Sequence, residues 1–239
     1  MKPRHVAQLM TRYYRYMWWL LCLLFSIPML TLAQRWNAGS LGPNPLEILT
    51  KITGHSALLL LLLSMTLTPL RRVLAFFSRN RHSIYGKRLS DWNTLIRLRR
   101  MIGLWSFFYA AAHLWIWMEF DIGWDWSEMI RTVGEKPYIT AGMACMTILS
   151  LLAATSTNAA IRALRKNWKR LHRLVYIAAI AVALHYLWLS KIGHHFLPLI
   201  YAAFISLLLG YRVLSKFGVL LPLARDDGEE VPERSSSAS

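Results

Sequence analysis

Six apolar stretches of bilayer length constrain this chain more than any other feature. A transmembrane helix needs about 20 predominantly apolar residues to cross a hydrocarbon core ~30 Å thick. The stretches cover residues 16–34, 47–68, 101–120, 138–156, 174–190 and 196–214. Because 55% of the 239 residues are also hydrophobic, the sequence predicts an all-α integral membrane protein with one bundle of six transmembrane helices.

The first stretch also has features of a cleaved signal peptide. Basic residues precede its apolar run, and cleavage would remove about residues 1–33. Against cleavage, the run is long for a signal core, and Trp18 and Trp19 stand at its start, as residues anchored in a membrane interface do. We therefore expect this stretch to be kept as the first helix.

The distribution of basic residues predicts the orientation. Four Lys or Arg residues precede the first helix, nine lie between Leu70 and Arg100, and six lie between Arg162 and Arg173. The alternating loops contain few. By the positive-inside rule both termini are cytoplasmic, so the net charge of +16 reflects membrane topology and lipid contact, with no nucleic-acid partner expected.

Three regions follow from this pattern. Residues 1–15 form a cytoplasmic N-terminal segment, residues 16–214 form the transmembrane domain, and residues 215–239 form a cytoplasmic tail. The tail is acidic and rich in serine towards its end, a composition that buries little apolar surface and predicts disorder. Cys22 and Cys145 stand alone in apolar stretches and predict neither a disulfide framework nor a thiolate metal site.

Histidines within the membrane are the candidate functional residues. A polar ring in hydrocarbon costs free energy unless it is bonded, so His55, His113 and His185 need partners. His113 lies 13 positions after Arg100 and His185 lies 13 positions after His172, which is roughly 20 Å of helix in each case. The third and fifth helices thus carry their histidines at the same depth, and His55 reaches a similar depth on the second.

Two neutral imidazoles on facing helices suit a six-coordinate haem iron that transfers electrons. We expect His113 and His185 to be the axial ligands of a b-type haem. The alternative is that each ring bonds to a carbonyl or serine of a neighbouring helix. For His55 such a local bond, or a place at the haem edge, is favoured over ligation.

A second haem is a separate question. His172 lies near the cytoplasmic face at a depth that suits another iron, but the matching depth on the third helix holds Arg99 and Arg100. These arginines have two interpretations: they orient the helix against anionic lipid, or they bind haem propionates or a flavin phosphate. The number of haems stays open from the residues alone.

Several segments in order resemble a known family. They are "GLGPNPLE", "ITGHSALLLLLLSMTLTPLRR", "RLRRMIGLWSFFYAAAHLWIW", "EKPYITAGM" and "LAATSTNAAIRALRKNWKRLHRLVYIAAIAVALHYLW". Between about Leu41 and Tyr211 the chain resembles the MsrQ family, the haem-binding membrane subunits of protein-methionine-sulfoxide reductase systems, within the ferric-reductase-like transmembrane group. The resemblance assigns His113, His172 and His185 to haem and gives no support to His55.

The resemblance also implies a function. It describes an oxidoreductase subunit of the bacterial inner membrane that transfers electrons and does not itself reduce the substrate. The donor would be a cytoplasmic flavin reductase or the quinone pool, with FMN or quinone as further cofactors. The acceptor would be a periplasmic molybdopterin enzyme that reduces methionine sulfoxide.

Two other function classes remain open at this point. A cytochrome b that anchors a different dehydrogenase or a metal-ion reductase would keep the haem and change the partner. A small transporter or a membrane scaffold would use the histidines for protons or packing and bind no haem. Visible spectroscopy distinguishes the last class from the first two.

Overall fold

The computed structural model describes residues 6–79, 89–190 and 196–217, and all secondary structure in these ranges is helical. Short 3-10 helices at Leu89–Trp92 and His172–Leu174 and a π-helix at Met118–Ile122 accompany the α-helices. The α-helices are α1 (Val6–Arg12), α2 (Tyr14–Asn37), α3 (Pro45–Arg79), α4 (Asn93–Trp117), α5 (Trp126–Glu135), α6 (Pro137–Ala154), α7 (Asn158–Leu164), α8 (Lys166–Leu171), α9 (Val175–Leu189) and α10 (Phe196–Lys216).

The six predicted spans are confirmed. Six segments of the described chain are long and apolar enough to cross a membrane. They correspond to α2, α3, α4 with its π-helix, α6, α8 to α9, and α10. The prediction of a disordered tail falls almost wholly after residue 217 and lies outside the described residues.

The second span is longer than predicted. The apolar pattern ended at residue 68, before Pro69, but α3 continues as one helix to Arg79. A proline inside a helix leaves the carbonyl four residues earlier without its usual donor. Here that carbonyl belongs to Met65, and Arg212 Nη2 of α10 donates to it at 2.8 Å. A distant side chain thus supplies the hydrogen bond that Pro69 removes.

Arg212 also joins α10 to α9. Its guanidinium lies 4.6 Å from the ring centre of Tyr176 and donates to the hydroxyl of the same residue. Stacking on an aromatic face suits the planar, weakly hydrated guanidinium group. Arg212 therefore holds three spans together at one end of the bundle.

Tyr109 of α4 plays a similar part for the first span. Its side chain is fully buried, and its hydroxyl donates to the carbonyl of Phe25 at 2.6 Å and accepts from the N–H of Met29 at 3.2 Å. In a regular helix these two backbone groups would bond to each other. The hydroxyl is inserted into α2 beside Pro28, at the type of break where helices kink.

The apolar core has two large parts that meet along α3. One is formed by α3, α6, α9 and α10 and the other by α2, α3 and α4. Four of these spans, α3, α4, α6 and α9, enclose the cavity described next.

Candidate functional site

A cavity of about 330 Å³ lies between α3, α4, α6 and α9. Its volume falls in the usual range for cofactor sites, roughly 300 to 1,000 Å³. Most of the lining is apolar, as expected at membrane depth. The polar lining residues are Thr50, Lys51, His55, Ser106, His113, Asp121, Tyr138, His185 and Tyr186.

The structure brings His113 and His185 together across this cavity. Their ring centres are 6.3 Å apart and the ring planes are nearly perpendicular, at 88°. With a metal–imidazole bond of roughly 2 Å and a ring radius of about 1.1 Å, two imidazoles on opposite sides of one metal ion have centres about 6 Å apart. The observed separation therefore suits one shared metal ion.

Each of the two rings is oriented by a carbonyl on the neighbouring helix. His113 Nδ1 donates to the carbonyl of Thr50 at 3.0 Å, and His185 Nδ1 donates to the carbonyl of Tyr138 at 2.6 Å. Because a carbonyl only accepts, Nδ1 of each ring carries the hydrogen and Nε2 keeps its lone pair. Histidines that bind metals are typically oriented in this way.

Glycines make room for both rings. A Cβ at Gly54 would lie 3.2 Å from His113 Nδ1, and a Cβ at Gly142 would lie 2.8 Å from His185 Nδ1. Only the absence of a side chain lets α3 and α6 come this close to the imidazoles. Each histidine is therefore held between a glycine and a carbonyl of the same adjacent helix.

His55 lines the same cavity with different bonding. Its Nδ1 donates to the carbonyl of Lys51 at 2.7 Å, and its Nε2 accepts from the Tyr186 hydroxyl at 2.8 Å. Both nitrogens are thus used by protein partners. This local bonding matches the interpretation that was favoured for His55 from the sequence.

His172 lies away from the cavity. Its ring stacks on Trp168 with centres 3.9 Å apart, and its nitrogens lie 3.3 Å from the carbonyl of Trp168 and 3.4 Å from the hydroxyl of Ser156. None of the other three described histidines contacts it.

Arg99 and Arg100 also lie outside the cavity lining. Arg100 Nη1 donates to Asn158 Oδ1 at 2.6 Å, and Arg99 is half-buried close to the positive charge of Arg212. Both are a long way from His113, roughly 20 Å along α4. The structure does not bring them to the paired imidazoles.

Sequence reasoning missed four residues that form the site. Thr50 and Tyr138 act through backbone carbonyls, which carry no side-chain signal. Gly54 and Gly142 had one available signal, since each is a glycine in an apolar span and Gly54 precedes a histidine. Helical glycines of this kind often mark a close approach.

The donor set suits haem better than a protein-only metal site. Among the described residues no group of three or more His, Cys, Asp or Glu side chains could hold a metal ion. Two imidazoles complete the coordination of an iron whose four other positions are filled by porphyrin nitrogens. The apolar walls and the two free Nε2 atoms therefore fit a haem held between His113 and His185.

The class of the protein follows from comparison with known families. Residues 53–183, more than half of the chain, match the family described as "Ferric reductase like transmembrane component". This range contains His113, the two glycines and the carbonyl of Tyr138, while Thr50 and His185 lie three and two residues beyond its ends. The fold is thus a ferric-reductase-like transmembrane domain.

Similarity to curated proteins identifies the family within this transmembrane group. The chain is 41% identical to the protein-methionine-sulfoxide reductase heme-binding subunit MsrQ of Ralstonia nicotianae over 82% of each chain. It is 40% identical to the MsrQ of Bordetella pertussis over 80% of this chain and 87% of the relative. It is 37% identical to the MsrQ of Xanthomonas axonopodis pv. citri over 80% and 81%. The chain belongs to the MsrQ family.

Proposed function

We propose that this chain is the haem-binding, electron-transferring subunit of a protein-methionine-sulfoxide reductase. One observation carries the haem site: of the four described histidines, only His113 and His185 leave Nε2 without a hydrogen-bond partner, and these two rings face one cavity. The identity of about 40% to MsrQ proteins over four-fifths of the chain supports the assignment.

The residues of the site would do three things. His113 and His185 would hold the iron from two sides, which leaves no open position for oxygen. The carbonyls of Thr50 and Tyr138 would fix both ring orientations and raise the basicity of Nε2. The apolar lining would keep water from the porphyrin and so help to set its potential. A bound haem b supplies reversible one-electron chemistry.

The proposed path runs across the bacterial inner membrane with both termini in the cytoplasm, as the distribution of basic residues predicts. A cytoplasmic flavin reductase or quinol would donate the electrons, with FMN or quinone as an intermediate carrier. A periplasmic molybdopterin subunit would receive them and reduce methionine sulfoxide. On this account the chain is an oxidoreductase component without catalytic residues of its own.

The proposal counts one haem per chain. Of the three described histidines that line the cavity, His55 has both nitrogens bonded within the protein, and His172 lies elsewhere with its ring stacked on Trp168. A pyridine haemochrome assay on the purified protein should give one haem b per polypeptide. A ratio of two would add a second site and bring His172 back as a ligand.

Single substitutions test the ligand pair. His113→Ala or His185→Ala should abolish the main absorption of the reduced b-type haem, whereas the matched variant His172→Ala should keep it. Retention of the full signal in both His113→Ala and His185→Ala would rule out the proposed site.

The partner is tested separately from the haem. Deletion of the chain in a cell that makes the periplasmic reductase should abolish repair of oxidised periplasmic methionines, and the wild-type chain should restore it while His185→Ala does not. If repair continues at the normal rate in the deletion, the haem protein serves another acceptor.

A further inference from the structure

Helix α5, between the third and fourth spans, carries an apolar stripe that the bundle covers only in part. Trp126, Met129, Ile130 and Val133 recur at the spacing i, i+3, i+4, i+7 of one helix face. Trp126 is 62% exposed and Ile130 is 68% exposed, while Met129 and Val133 are half-buried. The protein therefore covers one side of the stripe and leaves the side with Trp126 and Ile130 exposed to the surroundings.

Of the other faces of α5, one packs against the protein and one carries ion pairs within the helix. Thr132 is buried, and α5 packs on α6. The exposed polar face carries Arg131, which pairs with Glu128 at 2.7 Å and with Glu135 at 3.6 Å. These pairs lie on the side opposite to Ile130 and Trp126, as expected of a helix at a boundary between apolar and aqueous surroundings.

Short connections hold α5 at the end of the membrane spans. The π-helix that completes the third span ends at Ile122, and only residues 123–125 separate it from α5. Three extended residues reach at most about 11 Å. On the other side, Lys136 alone separates α5 from the start of the fourth span at Pro137. Both ends of α5 are thus tethered to transmembrane helices.

Exposed aromatic residues link the span surface to this helix. Trp115, on the surface of α4, is 60% exposed, and its ring centre lies 4.9 Å from that of Trp124. Trp124 stands two residues before α5 begins. Tryptophan is enriched at membrane–water interfaces. The outer surface of the span therefore continues through Trp124 towards Trp126.

We propose that α5 is an interfacial helix that binds the lipid surface through Trp126 and Ile130, with its axis along the membrane. Such helices bury their apolar face about 5 to 10 Å into the boundary between headgroups and acyl chains. This inference concerns the loop between the third and fourth spans and does not depend on haem binding.

The position of α5 affects the start of α6, which orients one of the paired imidazoles. Thr140 at the start of α6 donates to the carbonyl of Val133 in α5, and the carbonyl of Tyr138 between them accepts from His185. Lipid contact at Trp126 and Ile130 would therefore hold the end of α6 that orients His185.

Spin labels on the apolar stripe and on the polar face of α5 test the proposal. In a full-length chain with Cys22 and Cys145 replaced by alanine, Ile130→Cys and the adjacent Arg131→Cys would each be labelled and placed in phosphatidylglycerol–phosphatidylcholine nanodiscs. Collision with oxygen, which partitions into lipid, and with a water-soluble nickel complex would then be compared by electron paramagnetic resonance. Trp126→Cys provides a second apolar position should Ile130→Cys fail to fold.

The proposal predicts that the label at position 130 or 126 collides preferentially with oxygen at an immersion depth of about 5 to 10 Å, and that the label at position 131 collides preferentially with nickel. Preferential nickel collision on both faces would place α5 in water and overturn the proposal. Low collision with both reagents at positions 130 and 126 would show that protein covers this face, which also overturns it.

Discussion

Adding one methyl group at Gly142 should weaken haem binding through His185. An alanine Cβ at this position would lie 2.8 Å from Nδ1 and 3.0 Å from Cε1 of the ring, whereas ordinary contact begins at 3.4 Å. The ring must retreat by the difference, 3.4 − 2.8 = 0.6 Å. Because Tyr138 lies one turn before Gly142 on α6, this movement also strains the 2.6 Å bond that orients His185.

The expected size of the effect follows from the loss of that orientation. Disturbing the hydrogen-bonded partner of a metal-binding histidine typically costs 10- to 100-fold in affinity, which is about 1.4 to 2.8 kcal/mol. Gly54→Ala should have a smaller effect, because its Cβ would lie 3.2 Å from His113 and a shift of 3.4 − 3.2 = 0.2 Å suffices.

Gly103→Ala is the matched control. It lies in α4, the same helix as His113, and an added Cβ would meet nothing within 4 Å. Replacing a helical glycine in open space should, if anything, stabilise the helix by up to about 1 kcal/mol. Haem titration into haem-free protein, followed by the Soret band, measures all three variants. Equal haem affinities for Gly142→Ala and Gly103→Ala would refute the steric argument.

Three further predictions concern the surroundings of the site. Tyr109→Phe should lower the free energy of unfolding by about 1 to 3 kcal/mol, because the buried backbone groups of Phe25 and Met29 lose their shared partner; unchanged stability in a denaturant titration would contradict the inserted hydroxyl. His55→Ala should keep most of the haem, since both nitrogens of His55 are bonded within the protein, and complete haem loss would make it a ligand. The pKa of Asp125, which caps α5, is held below its ordinary value by the hydroxyl of Ser127 and by the backbone N–H groups of Glu128 and Ser127. Its stabilisation of α5 is therefore present above that ordinary value and is lost as the pH falls through the lower folded value. Hydrogen-exchange protection of α5 should fall more in acid for the wild type than for Asp125→Asn, in which only the pairing of Glu128 with Arg131 is still lost; equal falls would contradict the role of the cap.

The spans and the paired histidines were accessible from the sequence because both depend on local geometry. Apolar length identifies a transmembrane helix, and a rise of about 1.5 Å per residue places His113 and His185 at one depth. Their juxtaposition required no knowledge of packing beyond a single bundle.

Features that depend on contacts between residues far apart in the chain could not be predicted from the sequence. The continuation of α3 through Pro69 requires Arg212, 147 positions after Met65 in the chain. The break in α2 requires Tyr109 of another span. The roles of Gly54 and Gly142 depend on which helices pack against them. The sequence shows a glycine in an apolar run but does not show which side chain on another helix it contacts. Tertiary packing decided each of these.

The central claim is that His113 and His185 bind one iron together, and electron paramagnetic resonance of the oxidised protein in membranes tests it most directly. The 88° angle between the rings predicts the strongly anisotropic low-spin signal of a six-coordinate haem with perpendicular imidazole ligands. A high-spin signal from a five-coordinate iron, or a low-spin signal that persists when His113 is replaced by alanine, would contradict it.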